Sequence, residues 1–247
     1  MNPSAIVKPC QEKIIQQNDN YYCFDENSVA DFNENMFSAN YWLQEKAITG
    51  TAQGRGKTYF IKHLTDEWVL RHYYRGGLVG KIINDSYLFT GFENTRAAQE
   101  FNLLKTLSAH NLPAPKPIAY RIKKSGLTYQ ADILTARITD AQDLVAILSS
   151  GSANEAVWRK IGRCIKKFHQ QGIYHHDLNA HNILIDKSEK VWLIDFDQGE
   201  QRQPNRKWQQ ANLDRLLRSF NKEKAKLPKF HWQQNDWQTL IEGYFST

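Results

Sequence analysis

Short apolar runs separated by glycine-rich or polar turns dominate the chain between Tyr41 and about residue 90. These runs lie at residues 47–48, 59–61, 68–70 and 87–89. Runs of this length between turn residues are typical of antiparallel strands. Two further strands are predicted at residues 118–122 and 129–135. The first forty residues are polar and weakly patterned, so no element is predicted there.

A period of three to four residues replaces the strand pattern in two places and predicts helices. The first helix lies between Thr95 and Ala109, with apolar positions at Ala97, Phe101, Leu104 and Leu107. The second helical region follows Arg137, with apolar positions at Leu144, Ile147, Leu148, Val157, Ile161, Ile165 and Phe168. We therefore predict an α+β fold with a strand-rich N-lobe, residues 1–137, and a helical C-lobe, residues 138–247.

Composition and charge narrow the function only slightly. The 247 residues are 41% hydrophobic and 23% charged, which predicts a packed core. The net charge of +6 indicates a basic face, and the three cysteines form no C-x-x-C pair. A disulfide framework and a zinc site are therefore not expected, and a reducing cytoplasm is the simplest compartment. The longest apolar run, residues 144–148, is too short to span a membrane.

One group of polar residues flanks a predicted hairpin whose turn is Asp186–Lys190. Asn182 immediately precedes the first strand, and Asp195 follows the second. These two positions meet in an antiparallel hairpin, so an amide oxygen and a carboxylate should converge as ligands suited to Mg²⁺. Asp177, five residues before Asn182, is expected to reach the same cleft and to act as a base.

The order of these residues resembles the catalytic centre of protein kinases. Residues 175–182 match H-x-D-L-x-x-x-N, and residues 195–197 stand where kinases have D-F-G. The alternative is that Asp177, Asn182 and Asp195 are only turn residues, and the complete motif in its predicted context argues against it. His175 is expected to support the loop by hydrogen bonds rather than to react.

A glycine-rich stretch, residues 50–58, lies between two predicted strands and resembles the loop that covers ATP in kinases. Gly50, Gly54 and Gly56 are the candidate phosphate-binding residues, because glycine lets backbone amides approach phosphate oxygens. The ending at residues 56–58 imitates a Walker A loop. We reject that reading because the first glycine is misplaced by one position and a strand follows instead of a helix.

Kinases carry a lysine on the following strand, paired with a glutamate on the next helix. Arg71 occupies that position here, and Lys81 competes with it as the residue that holds the phosphates. Arginine donates hydrogen bonds as a fork and is not equivalent to lysine. Glu100 is the candidate partner of Arg71, and the alternative is that Glu100 is an ordinary solvated helix charge.

From about Tyr41 to Tyr244 the chain also resembles the 3-deoxy-D-manno-octulosonic acid (Kdo) kinases, part of the lipopolysaccharide kinase group of the kinase-like superfamily. The most specific stretches are residues 54–56, 69–72, 75–77, 95–96, 174–182, 192–197 and 208–213. The resemblance implies a two-lobed kinase-like fold and ATP- and Mg²⁺-dependent phosphorylation of the Kdo 4-hydroxyl on a Kdo-lipid A precursor. It further implies a peripheral location at the cytoplasmic face of the inner membrane of a Gram-negative bacterium.

Roles carried over by position make Asp177 the base and make Asn182 and Asp195 the Mg²⁺ ligands. The general kinase pattern is broken at three positions, namely Arg71 for lysine, His176 for arginine and Asp197 for glycine. The first two weaken the expectation of lysine-type phosphate anchoring and of control by loop phosphorylation. Asp197 indicates either an extra metal ligand or a loop that does not switch.

A basic segment, residues 202–229, contains nine Lys or Arg and two acidic residues, a net charge of +7. Its apolar stripe on a predicted helix consists of Leu213, Leu216, Leu217 and Phe220. Two interpretations remain open. The segment docks on an anionic membrane or on lipid A, or the stripe packs on the helical lobe while the charges are solvated.

Three other functions are compatible with parts of the sequence. A soluble small-molecule kinase, of the kind that acts on aminoglycosides or choline, has a similar catalytic loop. Arginine in place of the kinase lysine at position 71 suggests a nucleotide-binding scaffold without catalytic activity, although the intact motif at Asp177, Asn182 and Asp195 argues against that. Nucleic-acid binding draws on the basic charge and the interleaved aromatics, but no recognised module appears. We therefore infer no nucleic-acid partner and no obligate protein partner.

Overall fold

The computed structural model describes residues 9–53, 56–75 and 85–246. The chain divides into two compact units. The first comprises Met1–Ala109 and Pro115–Arg137, and the second comprises His110–Ala114 and Ile138–Thr247. The short proline-containing segment before Pro115 therefore groups with the second unit.

Among its described residues, the first unit has one antiparallel sheet and two α-helices. Its strands are β1 Glu12–Gln17, β2 Asn20–Asp25, β3 Ile48–Gln53, β4 Lys57–His63, β5 Asp66–His72, β6 Tyr87–Leu88, β7 Pro117–Ser125 and β8 Thr128–Ala136. Its helices are α1 Ala39–Gln44 and α2 Arg96–Ala109. The order in the sheet is β1-β2-β7-β8-β5-β4-β3, and β6 pairs with β8. Helix α2 packs against β7 and β8.

The core of this unit forms because alternate strand residues face inward. On β5, Trp68 and Leu70 are buried, and Trp68 lies opposite Ile61 of β4. Trp42 from α1 packs edge-on against Trp68, with ring centroids 6.2 Å apart, and its indole N–H donates to the carbonyl of Met36 at 2.7 Å. The ring is therefore buried without losing its hydrogen bond.

The first forty residues form more structure than their sequence pattern predicts. Strands β1 and β2 make a hairpin there, and β2 also pairs with β7. Tyr22, Cys23 and Phe24 are consecutive and all buried, so β2 lacks the alternation by which a half-buried strand is recognised. The expectation that no element forms in this segment was wrong for this reason.

The second unit is mainly helical. Its helices are α3 Leu144–Ser150, α4 Glu155–Gln170, α5 Arg206–Lys226 and α6 Gln234–Phe245. Its strands are β9 Ala141–Asp143, β10 Ile173–Tyr174, β11 Ile183–Asp186, β12 Val191–Leu193 and β13 Glu200–Gln201. They form a three-stranded sheet, β12-β11-β9, and a β10-β13 pair. A strand-rich first unit and a helical second unit confirm the predicted α+β class.

Helix α4 illustrates how the sequence sets an element in this unit. The side-chain oxygen of Asn154 accepts from the backbone N–H of Val157 at 2.9 Å and caps the start of the helix. The apolar positions Trp158, Ile161, Ile165 and Phe168 share one face and are all buried. Gly172 follows the helix with φ +74°, a conformation that favours glycine.

The apolar stripe of the basic segment lies on α5 and is directed into the second unit. Three of its four residues, Leu213, Leu216 and Phe220, are 0–1% exposed, and Leu217 is half-buried. The Phe220 ring packs against Trp158 and Trp232. The stripe is thus part of the core and is not presented to a membrane. In the part of the chain that the structure describes, no helix combines the length and the apolar character needed to cross a bilayer.

Candidate active site

A β-hairpin in the second unit carries two of the predicted site residues. In the β11–β12 pair, Ile183 lies opposite Leu193, and the backbone N–H of Ile194 donates to the carbonyl of Asn182 at 3.0 Å. Asn182 and Asp195 therefore lie at the same end of the hairpin. Asn182 is buried, whereas Asp195 is exposed and has φ +62°, a left-handed conformation that aspartate tolerates better than most residues.

The loop that carries Asp177 is held by two asparagine side chains. The amide nitrogens of Asn179 and Asn182 donate to the backbone carbonyl of Asp177 at 3.1 and 3.0 Å. The oxygen of Asn179 also accepts from the backbone N–H groups of His181 and Asn182, which caps the short 3₁₀ turn Ala180–Asn182. Because its nitrogen is used in this way, Asn182 directs its amide oxygen away from the carbonyl of Asp177. A cation could use that oxygen.

His175 supports the same loop. Its Nε2 donates to the carbonyl of Ile194 at 2.9 Å, and its Nδ1 accepts from the backbone N–H of Asp177 at 3.2 Å. The ring packs at a tilt against that of Phe196, which is fully buried, with ring centroids 4.8 Å apart. Burial lowers the pKa of His175 and favours the neutral ring that this pattern requires. The contacts favour the predicted supporting role over a chemical one.

The Asp177 side chain has a partner that the sequence interpretation missed. Nη1 of Arg215, on α5, donates to Oδ1 of Asp177 at 2.8 Å. Arg215 was counted only as one charge of the basic segment. Thirty-eight residues separate the two, and no local motif links them. The available signal was the helical spacing of Asn212, Arg215 and Ser219, which places these polar residues on one side of α5.

His181 lies between two carboxylates near this loop. Its ring nitrogens are 3.6 Å from Oδ1 of Asp143 and 3.6 Å from Oε1 of Glu223. The neighbouring Asp143 carboxylate is the main cause that raises the pKa of His181. Burial alone would raise the pKa of Asp143, but the nearby His181 ring and hydrogen bonds from the backbone amides of Val145 and Ala146 lower it instead. Asp143, at the start of α3, and Glu223, on α5, therefore flank the ring of His181 from two helices.

The donor set suits a hard cation better than a softer transition metal. Among the described residues, no group of three or more His, Cys, Asp or Glu side chains is arranged to hold a metal ion. The hairpin instead offers the Asn182 amide and the Asp195 carboxylate. Mg²⁺ commonly takes one or two protein oxygens and fills its shell with water and phosphate. The residues present therefore fit Mg²⁺.

In the first unit the structure brings Arg71 and Glu100 together. Nη2 of Arg71 lies 2.6 and 2.5 Å from the two carboxylate oxygens of Glu100, whose side chain is 3% exposed. The Tyr73 hydroxyl also donates to Glu100 at 2.7 Å. Burial with two donors favours an ion pair between strand and helix over a solvated helix charge. Lys81, the competing phosphate ligand, lies outside the described residues.

The glycine-rich stretch differs from its predicted form. Gly50 lies within β3, opposite Phe60 and next to a register shift, and not in the turn. A side chain at position 50 would crowd the Phe60 ring, since its Cβ would lie 3.2 Å from a ring carbon. Gly54 lies outside the described residues. At Gly56 a Cβ would come within 2.0 Å of the Tyr74 ring, so close packing also explains that glycine.

Fold and site together define the class of protein. The α+β fold carries a strand arginine paired with a helix glutamate, and a catalytic loop that leads into a hairpin ending in Asp195. This is the organisation of a protein-kinase-like phosphotransferase. The chain belongs to the lipopolysaccharide kinase (Kdo/WaaP) family, whose family model matches residues 39–244.

Curated relatives in this family are similar over nearly their whole length. A 3-deoxy-D-manno-octulosonic acid kinase of Vibrio parahaemolyticus is 50% identical over 89% of this chain and 92% of its own. Its namesake in Photobacterium profundum is 45% identical over 90% and 93%. One from Haemophilus influenzae is 42% identical over 93% and 98%.

Proposed function

We propose that this kinase transfers the γ-phosphoryl group of ATP to the 4-hydroxyl of Kdo on a Kdo-lipid A precursor, in lipopolysaccharide biosynthesis. The observation that carries the proposal is similarity along about nine tenths of the chain to proteins named 3-deoxy-D-manno-octulosonic acid kinase. The same similarity favours a Kdo acceptor over the soluble aminoglycoside- or choline-type acceptors of the alternative.

Five residues of the loop and the hairpin are assigned roles in this reaction. Asp177 accepts the proton of the 4-hydroxyl as the hydroxyl oxygen bonds to the γ-phosphorus and the bond to the leaving ADP breaks. Asn182 and Asp195 would hold Mg²⁺, which when bound neutralises charge on the phosphates. His175 and Asn179 keep the base in position through the loop backbone. Most of the acceleration would come from such positioning and charge neutralisation.

The nucleotide is proposed to bind to the first unit. Arg71 would donate to its phosphates from a guanidinium that Glu100 already orients, and Lys81 remains the competing ligand. Gly54 and Gly56 are proposed to cover the phosphates with backbone amides. Gly50, the third candidate, lies inside β3 opposite Phe60, and its close approach to that ring supports a packing role.

A peripheral location at the cytoplasmic face of the inner membrane is the remaining part of the proposal. Because the apolar stripe of α5 is buried, membrane attraction would be electrostatic. The basic residues that remain exposed in and after this helix are Arg206, Lys207, Arg218, Lys222, Lys224, Lys226 and Lys229. Each basic side chain near an anionic surface contributes about 1 kcal/mol.

The test is mass spectrometry of a Kdo-lipid A precursor incubated with enzyme, ATP and Mg²⁺. We expect one added phosphate on Kdo, located at the 4-position by fragmentation.

Asp195→Ala should abolish nearly all turnover, and Asp177→Asn should lower kcat by about 10²–10⁴-fold. Asp31→Asn, which changes an exposed aspartate in the other unit, serves as the control. Absence of phosphate on Kdo would refute the proposed function, and near wild-type turnover by Asp177→Asn would refute the assigned base.

A further inference from the structure

Helix α5 runs beside the loop of residues 175–182. Four polar side chains of the helix, spaced by three or four positions, contact the loop, and each contacts a residue further along it than the one before. The contacts are Asn212 with the backbone N–H and carbonyl of His175, Arg215 with Asp177, Ser219 with the backbone N–H of Ala180, and Glu223 with His181.

Arg215 differs from the other three because it contacts the carboxylate of the proposed base. Asn212 and Ser219 contact loop backbone, and the backbone of Asp177 is already held by Asn179, Asn182 and His175. The path of the loop therefore does not depend on Arg215. Its contact bears on the orientation of the Asp177 side chain.

Burial and geometry argue against a mainly stabilising role for this pair. The side chains of Arg215 and Asp177 are 41% and 40% exposed. Ion pairs at this exposure contribute little to folding stability. Within the described residues, only Nη1 of Arg215 has a hydrogen-bond partner, and it contacts only Oδ1 of Asp177. A guanidinium has five N–H donors in a planar fork, so further donors can bind a second anion.

We propose that Arg215 binds the carboxylate of the sugar-acid acceptor while it orients Asp177, and so selects an acidic acceptor. This inference rests on the proposed Kdo acceptor. A hydroxyl that donates to Oδ2 of Asp177 lies beside the guanidinium that holds Oδ1. In Kdo the carboxylate and the 4-hydroxyl are carried by ring carbons C2 and C4, with one carbon between them. Both groups can therefore be engaged at once.

The experiment compares Kdo-lipid A precursor with the same molecule methylated at the Kdo carboxylate, both in neutral detergent micelles. We expect methylation to lower kcat/KM of the wild-type enzyme by roughly 10- to 100-fold, the size of a lost charge-assisted hydrogen bond. Arg215→Ala should lower kcat/KM for the free acid by a similar factor, mostly through KM for the acceptor. In Arg215→Ala, methylation of the acceptor should change kcat/KM very little. The difference between this change and the one in the wild type measures the coupling between Arg215 and the carboxylate, as in a double-mutant cycle.

Two further variants separate recognition from a structural effect. Arg215→Lys keeps the charge but loses the fork, so it should recover part of the preference for the free acid. Arg163→Ala changes an exposed arginine of α4 and should leave both activities unchanged. Circular dichroism and thermal melting of Arg215→Ala check that it folds.

Three other results would each contradict a different part of the proposal. Equal loss with both acceptors in Arg215→Ala would overturn carboxylate binding and leave only orientation of Asp177. A raised KM for ATP, with acceptor KM unchanged, would show that the anion is a nucleotide phosphate and would also overturn it. Failure of the wild type to phosphorylate either acceptor would instead contradict the proposed function.

Discussion

At the scale of single residues, His169 makes stability depend on pH. It is buried in the second unit, where Nδ1 lies 2.8 Å from the Tyr244 hydroxyl and Nε2 lies 3.4 Å from Oδ1 of Asn212. Burial lowers its pKa to about 4. In the unfolded chain the pKa is about 6.5, so as the pH falls the unfolded state binds the proton first. The stability that depends on neutral His169 is complete above about pH 6.5 and is lost towards pH 4.

We therefore expect His169 to lower the free energy of unfolding by about 3 kcal/mol as the pH falls from about 6.5 to about 4. Urea unfolding at pH 7.5, 5.5 and 4.5 measures the effect. His169→Gln removes the titrating group and should show a weaker dependence on pH, whereas His110→Gln, at an exposed position, should behave like the wild type. An unchanged dependence in His169→Gln would contradict the assignment.

The proximity of Asp177, Asn182 and Asp195 along the chain could be predicted from the sequence because their spacing is local. Asp177 and Asn182 are five positions apart, and the hairpin that brings Asp195 to Asn182 has a short turn. Arg215 could not be identified in this way. Its contact with Asp177 depends on where α5 packs, and its charge resembles that of its neighbours in the sequence.

At the scale of elements, helices α4 and α6 approach through a pair of glycines. A Cβ on Gly162 would lie 2.0 Å from the carbonyl oxygen of Leu240, and one on Gly243 would lie 2.4 Å from that of Arg159. Because these obstacles are backbone atoms, the helices would have to move apart. Overpacking of this kind costs about 1–3 kcal/mol, and backbone contacts belong at the upper end.

Gly162→Ala should therefore lower the melting temperature by about 5 °C or more, as measured by differential scanning calorimetry. Alanine favours a helix more than glycine does, so helix propensity alone predicts the opposite sign. The matched control is Gly151→Ala, at an extended position where a Cβ meets nothing within 4 Å. A melting temperature at or above that of the wild type in Gly162→Ala would show that the helices separate easily.

Elements with a clear period were predictable, and fully buried or very short ones were not. The helix 96–109 and the β7–β8 hairpin follow their apolar patterns and turn residues. Strand β2 was missed because residues on both its faces are buried, and β9 was missed because three residues carry no periodic signal. Gly50 was assigned to a turn because glycine alone does not distinguish a turn from a strand irregularity.

At the scale of the whole molecule, the net charge of +6 is concentrated in one region. We expect cosedimentation with liposomes that contain anionic lipid, and loss of binding as salt is raised. Replacing Lys207, Lys222 and Lys226 with glutamine should weaken binding by about 3 kcal/mol, or roughly 100-fold. The control replaces Lys62, Lys123 and Arg163, which are also exposed. Binding that is indifferent to salt or to lipid charge would contradict an electrostatic attachment.

The sequence by itself determined the α+β class, the kinase-like motif and the resemblance to the Kdo kinases, because these depend on residues close together in the chain. Only the tertiary structure decided that the stripe of α5 is core, that Glu100 is buried against Arg71 and that Arg215 contacts Asp177. The last two contacts join residues 29 and 38 positions apart. Contacts at such separations form only when whole elements pack, and a local pattern of polar and apolar residues does not specify how they do.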